Sequence, residues 1–225
     1  MIEIYQGQKL SKEERTFLLE LEKINGQPIP SIGQIRDGIY GFIAKEGNII
    51  GLKHFDKSSK TIPNSRTNLL SLKHLALRYL SLEKLPEFIY ELKNLEVLDL
   101  SCCINLKFLP EGIKKLESLR ELHLEGCISL KRLPNDIGSL NALEKISLRR
   151  CQSLDSLPSS IIKLSSLKEL DIAGCEFNKR IPRELYSFAE VKYYSDSYHG
   201  LQMLKEEHDI LVKLESQIPF ILPEL

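Results

Sequence analysis

Cys103, Cys127, Cys151 and Cys175 recur at one constant interval. Thiolates ligate structural zinc and pair in disulfides, so a ladder of them first suggests metal binding or cross-linking. The spacing argues against both. Zinc sites draw their ligands in close pairs, and the chain has no Cys-x-x-Cys. A thiol that returns so regularly and so far along the chain behaves instead as a small hydrophobe at a repeated packing position. Cys102 falls on the opposite strand parity and is expected to be the only thiol at the surface.

The histidines, His54, His74, His123, His199 and His208, supply no His-Glu-x-x-His motif, and there is neither a glycine-framed serine nucleophile nor a phosphate-cradling glycine loop. One polar combination has the composition of a hydrolase. If residues separated by the cysteine interval lie side by side, His123 sits between Asp99 and Ser147, with Asp171 beyond. Carboxylate, imidazole and hydroxyl in that order could activate a nucleophile. On an open sheet face nothing would exclude water from it, so the expectation is a non-catalytic chain with no cofactor and no metal.

The same ruler governs the rest of the chain. Pro63, Pro86, Pro110, Pro134, Pro158 and Pro182 keep the cysteine interval, with only the first step one residue shorter, and each follows Ile or Leu. Around them runs the unit LxxLxLxxCxxLxxLPxxIxxL, clearest as Leu95, Leu98, Leu100, Cys103, Leu106, Leu109, Pro110, Ile113 and Leu116. It recurs from Leu119 and from Leu143, is one residue shorter from Leu72, and loosens from Leu167, where Asn178 replaces a Leu. The stretch from Ile49 is weaker still, with His54 at an inward position and Arg66 where Ile belongs. Regular middles and degenerate ends mark a capped array.

These residues resemble leucine-rich repeat proteins, and the LPxxIxxL half is similar to intracellular repeats of the plant disease-resistance and Ras-scaffold type. The resemblance implies an α/β solenoid, or horseshoe, with a parallel inner sheet. It also implies that the recurrent Cys is a small residue buried at a turn, where the family takes Asn or Cys. The residues support that geometry. In LxxLxLxx, apolar residues two apart face one side of a strand, and the Pro opens a short return. Strands are narrower than their returns, so the stack curves and leaves an extended concave face.

Alternation then predicts the concave columns: His74, Val97, Glu121, Lys145, Glu169; Ala76, Asp99, His123, Ser147, Asp171; and Arg78, Ser101, Glu125, Arg149, Ala173. Tyr79, Cys102, Gly126, Arg150 and Gly174 follow at the strand exits. Glu121, His123 and Glu125 are expected to face Lys145, Arg149 and Arg150. Opposite charges on adjacent strands stabilise a sheet, and they also suit docking of a protein with a matching pattern. The candidate partner-binding residues are therefore His74, Arg78, Tyr79, Asp99, Glu121, His123, Glu125, Lys145, Arg149, Arg150 and Asp171. The alternatives are a structural or regulatory subunit recognised through a terminal cap or convex side, and a hydrolase on the His123 column.

Lys plus Arg equals Asp plus Glu, 31 each, so no global field attracts nucleic acid or an acidic membrane. Lys131, Arg132, Lys145, Arg149 and Arg150 form the best basic patch, with Glu121, Glu125 and Glu144 beside them. No apolar signal, membrane span or Asn-x-Ser/Thr acceptor is visible, and a cytoplasmic monomer that binds another protein is expected.

Residues 1–47 read as an N-terminal cap. Ser11 to Glu14 form a capping box, Phe17, Leu18 and Leu21 give a helix one apolar face, and Asn25-Gly26 ends it. A hairpin turning at Glu46-Gly47-Asn48 hands its second strand to the solenoid. Repeats occupy 48–196, about six with a truncated seventh strand in which Tyr194 aligns with Leu170. Residues 197–225 read as a helical cap and tail, from the spacing of Leu201, Leu204, Ile210, Leu211 and Leu214.

Overall fold

The computed structural model describes residues 2–34, 39–56, 59–63, 69–175 and 192–194. The expectations placed on Arg66, on Asn178 to Phe188 and on the cap at 197–225 lie outside the described residues.

A hairpin of β1 (Ile2–Tyr5) and β2 (Gln8–Ser11) opens the chain, turning through left-handed Gln6 and Gly7. Helix α1 (Lys12–Asn25) follows at once. Its capping box is reciprocal: the Ser11 hydroxyl accepts the Glu14 amide, and Glu14 accepts the Ser11 amide. Gly26, at φ 74°, ends the helix in the left-handed conformation. The apolar stripe Phe17, Leu18 and Leu21 is buried, and Phe17 meets Phe88 of the first regular coil edge to face at 5.8 Å.

The eight-stranded sheet begins with β3 (Gly41–Lys45) antiparallel to β4 (Asn48–Phe55), with a bulge between Ile43 and Ala44. All later neighbours are parallel: β5 (His74–Arg78), β6 (Val97–Asp99), β7 (Glu121–His123), β8 (Lys145–Ser147), β9 (Glu169–Asp171) and β10 (Lys192–Tyr194). Leu52, Leu75, Leu98, Leu122, Ile146 and Leu170 occupy one ladder row, all buried. At the last step the register departs from expectation. Tyr193, not Tyr194, pairs with Leu170, and Tyr194 pairs with Asp171, so the final repeat is one residue shorter, strand to strand, than the one before it.

The returns explain the spacing of three in LPxxIxxLxxL. Ile113 donates its amide to Pro110 C=O, Leu116 to Ile113 and Leu119 to Leu116, at 3.2, 3.0 and 3.0 Å. The same chain of bonds repeats from Pro86, Pro134 and Pro158. Bonds between residues three apart define the 3₁₀ helix, whose three residues per turn put every third side chain on one face. That face carries the Ile and Leu of each coil inward, and they are buried.

The cysteines form the third ladder. Each Sγ donates to a carbonyl of the preceding coil: Cys103 to Leu77, Cys127 to Leu100, Cys151 to Leu124 and Cys175 to Leu148, at 3.0–3.2 Å. Burial pushes the Cys103 and Cys175 thiols up to about 12, and those of Cys127 and Cys151 further. Cys102 is half-buried, as is Cys175, so Cys102 is not the only thiol that reaches solvent.

Candidate concave binding face

The sheet register assembles the predicted columns. His74, Val97, Glu121, Lys145 and Glu169 are successive partners, and so are Ala76, Asp99, His123, Ser147 and Asp171. The next strand adds Lys192 and Tyr194 to these rows, and β4 adds Gly51 and Lys53 at the other end. Lys53 is almost wholly buried, a polar residue that the column counting missed because it precedes the first regular repeat.

Within the columns the charges pair differently from expectation. Lys145 Nζ lies 3.0 Å from Glu169 Oε2 on the C-terminal neighbour, while Glu121 turns along its own strand to His123, Oε2 to Nε2 at 2.9 Å. Arg149 and Glu125 do meet across the strands, at 4.0 Å. His74 is exposed on β5. A shallow open depression lies between β7 and β9, lined by His123, Glu125, Lys145, Ser147, Glu169 and Asp171.

Asp99, His123 and Ser147 are adjacent in the ladder, yet the carboxylate and the imidazole are committed elsewhere. Asp99 Oδ1 accepts the backbone amide and hydroxyl of Ser101, and Oδ2 lies 3.6 Å from Arg78 Nε. Asp171 likewise accepts the Ala173 amide at 3.0 Å. Both aspartates thus close the turn two residues downstream, a local use to which Asp is suited. His123 is held by Glu121 and not by Asp99, so the carboxylate–imidazole–hydroxyl relay is not formed. Among the described residues, no group of three or more His, Cys, Asp or Glu is placed to hold a metal.

The strand exits show a feature that composition does not reveal. Tyr79, Cys102 and Arg150 have φ of 62°, 61° and 57°, in the same ladder where Gly126 and Gly174 stand at 70° and 74°. The conformation lets each amide donate one coil onward: Tyr79 to Ser101 C=O, Cys102 to Glu125, Gly126 to Arg149 and Arg150 to Ala173, at 2.6–2.9 Å. For a side-chain-bearing residue it costs roughly 1–2 kcal/mol relative to the right-handed region. Tyr79 and Arg150 are exposed, and the Arg78 guanidinium lies 5.6 Å from the Tyr79 ring centroid.

A family model described as leucine-rich repeat region matches residues 49–188, more than half of the chain. Among solved structures, a leucine-rich repeat protein of Leptospira interrogans is 32% identical over 56% of this chain and 31% of its own length, with a TM-score of 0.50. The Arabidopsis receptor kinase HAESA, solved in complex with the peptide hormone IDA and the co-receptor SERK1, is 31% identical over 51% of this chain and 20% of that one, TM-score 0.41. The ectodomain of the Arabidopsis thaliana receptor kinase SOBIR1 is 21% identical and covers 83% and 92%, TM-score 0.42. The chain therefore spans less than a third of the length of the first two. No curated protein matches. Among the described residues, no helix is long and apolar enough to cross a membrane.

Proposed function

Because the chain belongs to the leucine-rich repeat family, we propose that it is a non-catalytic module that binds another protein through its concave face. The observation that carries this reading is the pair of in-register polar rows, from His74 to Glu169 and from Asp99 to Asp171, offered by successive parallel strands. Arg78, Tyr79, Arg149 and Arg150 flank those rows at the strand exits and supply the residue types that dominate interface energetics. Glu121, His123, Glu125 and Lys145 supply charge complementarity, which sets partner choice and association rate.

In this reading residues 1–47 cap the array, 48–196 form it and 197–225 close its far end. The contacts of α1 support the first cap: Phe17 packs on Phe88, and Glu14 Oε1 accepts the Ile49 amide at 2.8 Å as the first inner strand begins. The thiol ladder suits the reducing cytoplasm, where cysteines stay unpaired. The protein acts there as a monomer. Affinity capture from native cells with the purified chain tests the binding face. A variant carrying Glu121→Lys, Glu125→Lys, Lys145→Glu and Arg149→Glu is expected to lose the partners the natural chain retains, and undiminished capture would remove the concave face from the proposal.

A further inference from the structure

Two flanks join the concave sheet to the returns, and they treat charge in opposite ways. On the strand-entry side Lys73, Glu96, Arg120, Glu144 and Lys168 alternate in sign along the stack. Lys73 bonds Glu96 at 2.8 Å, and Glu144 takes both Arg120 and Lys168. Every member of that row is neutralised by a neighbour. On the strand-exit side the coils of β6 and β7 instead expose apolar side chains. Ile104 and Ile128 occupy equivalent turns, each donating its amide two residues back, and are 47% and 40% exposed. Phe108, 45% exposed, pairs through a parallel bridge with Arg132 on the next coil. The equivalent positions in the coils on either side are polar, Ser81 and Gln152 for the isoleucines, Lys84 and Ser156 beyond Phe108 and Arg132.

Around this patch cations outnumber anions, Lys84, Lys107, Lys131 and Arg132 against Glu83 and Asp155, and of the cations only Lys107 is paired among the described residues, with Glu83. Lys84, Lys131 and Arg132 are exposed and have no ion-pair partner among the described residues. Phe108 has Arg132 beside it on the following coil, and Lys84 holds the equivalent position on the preceding one. Apolar surface beside an excess of cations calls for an occupant that brings apolar side chains and carboxylates together. Glu83, which pairs with Lys107 at 3.4 Å, and Asp155 interrupt the positive row, so it suits carboxylates spaced by apolar side chains better than a uniformly anionic lipid surface.

We propose that this strand-exit flank is a docking strip for an extended acidic segment of a partner protein, whose apolar side chains cover Ile104, Phe108 and Ile128 while its carboxylates meet Lys84, Lys131 and Arg132. The strip lies outside the concave columns and stands or falls separately from them. Fluorescence anisotropy tests it with a labelled acidic peptide carrying Leu and Phe between glutamates, a counterpart with lysines for glutamates, a counterpart with serines for Leu and Phe, and mixed phosphatidylcholine–phosphatidylserine vesicles. The acidic apolar peptide is expected to bind saturably and more weakly as salt rises. Phe108→Ser with Ile128→Ser, or Lys131→Glu with Arg132→Glu, should each weaken it about tenfold, the scale of losing an interface hot spot. All these side chains are exposed, and circular dichroism checks that the variants fold. The concave charge-reversal variant should bind the peptide as the natural chain does. Equal binding of the lysine peptide, loss of binding in the concave variant alone, absence of saturable binding, or binding to vesicles only would each overturn the proposal.

Discussion

His54 sits in register with Leu77, wholly buried, with neither ring nitrogen hydrogen-bonded. Burial lowers its pKa, against a smaller opposing pull from Asp56. The sign follows directly: the unfolded chain takes up a proton near pH 6.5 and the native chain resists it, so stability is complete above about 6.5 and declines as the pH falls toward the native value. Urea midpoints measured from pH 7 down to about 5 should therefore fall for the natural chain and stay flatter for His54→Leu. Parallel curves would refute the assignment. The carboxylates that Lys73 and Lys115 hold below the usual range, Glu96 and Glu91, lose their contribution only at more acidic pH and do not confuse the comparison. The thiols make a second residue-scale test. Iodoacetamide at mildly alkaline pH should label Cys102 well before Cys103, Cys127 and Cys151, which are buried and held protonated; similar rates for all of them in the native chain would contradict the ladder. That His54 points inward was legible from its place in the Ile49 stretch, and so was the burial of Cys103, Cys127 and Cys151. The pairing of Glu121 with His123 was not, because strand parity fixes which face a side chain takes and leaves open whether it reaches along its strand or across.

At the scale of elements, the returns carry the tightest packing. Gly138 lies in the 3₁₀ turn Ile137–Ser139, and a Cβ there would come within 2.1 Å of the Ser160 carbonyl oxygen on the next coil. Its backbone is right-handed, so the demand for glycine is steric and not conformational. Gly138→Ala is predicted to destabilise by about 1–3 kcal/mol, as overpacking does. Gly33→Ala, where nothing lies within 4 Å, serves as the control. Equal chemical denaturation midpoints for the two variants would show that adjacent coils part easily. The spacing of Pro, Ile and Leu made the returns legible, and the capping box announced α1 to the residue. The β1–β2 hairpin gave no comparable signal. Ile2 and Ile4 are its alternating apolar residues, yet both point to solvent, and the turn is Gln6-Gly7 in place of the favoured Asn-Gly. The slip at Tyr194 has a related origin: counting at a constant interval holds only while every coil has the same length, and the last one is a residue short.

For the molecule as a whole, one apolar cluster runs unbroken from Tyr5 to Ile172. Each coil touches only its neighbours, so the array is stable as a sum of units and of interfaces between them. Leu122 stands at the middle of that sum, fully buried and in register with Leu98 on one side and Ile146 on the other. Truncating it leaves a cavity shared by three coils, and Leu122→Ala should cost about 2–5 kcal/mol. Ile104→Ala, on the exposed flank of the coil before it, should change stability by no more than about 0.5 kcal/mol. Because the cluster is continuous, the central cavity should lower the urea midpoint without lowering the slope of the transition, which tracks the surface exposed on unfolding. A shallower slope for Leu122→Ala would mean that the coils on either side of β7 unfold separately, and that the stack behaves as two cooperative blocks meeting beneath the charged rows of the concave face.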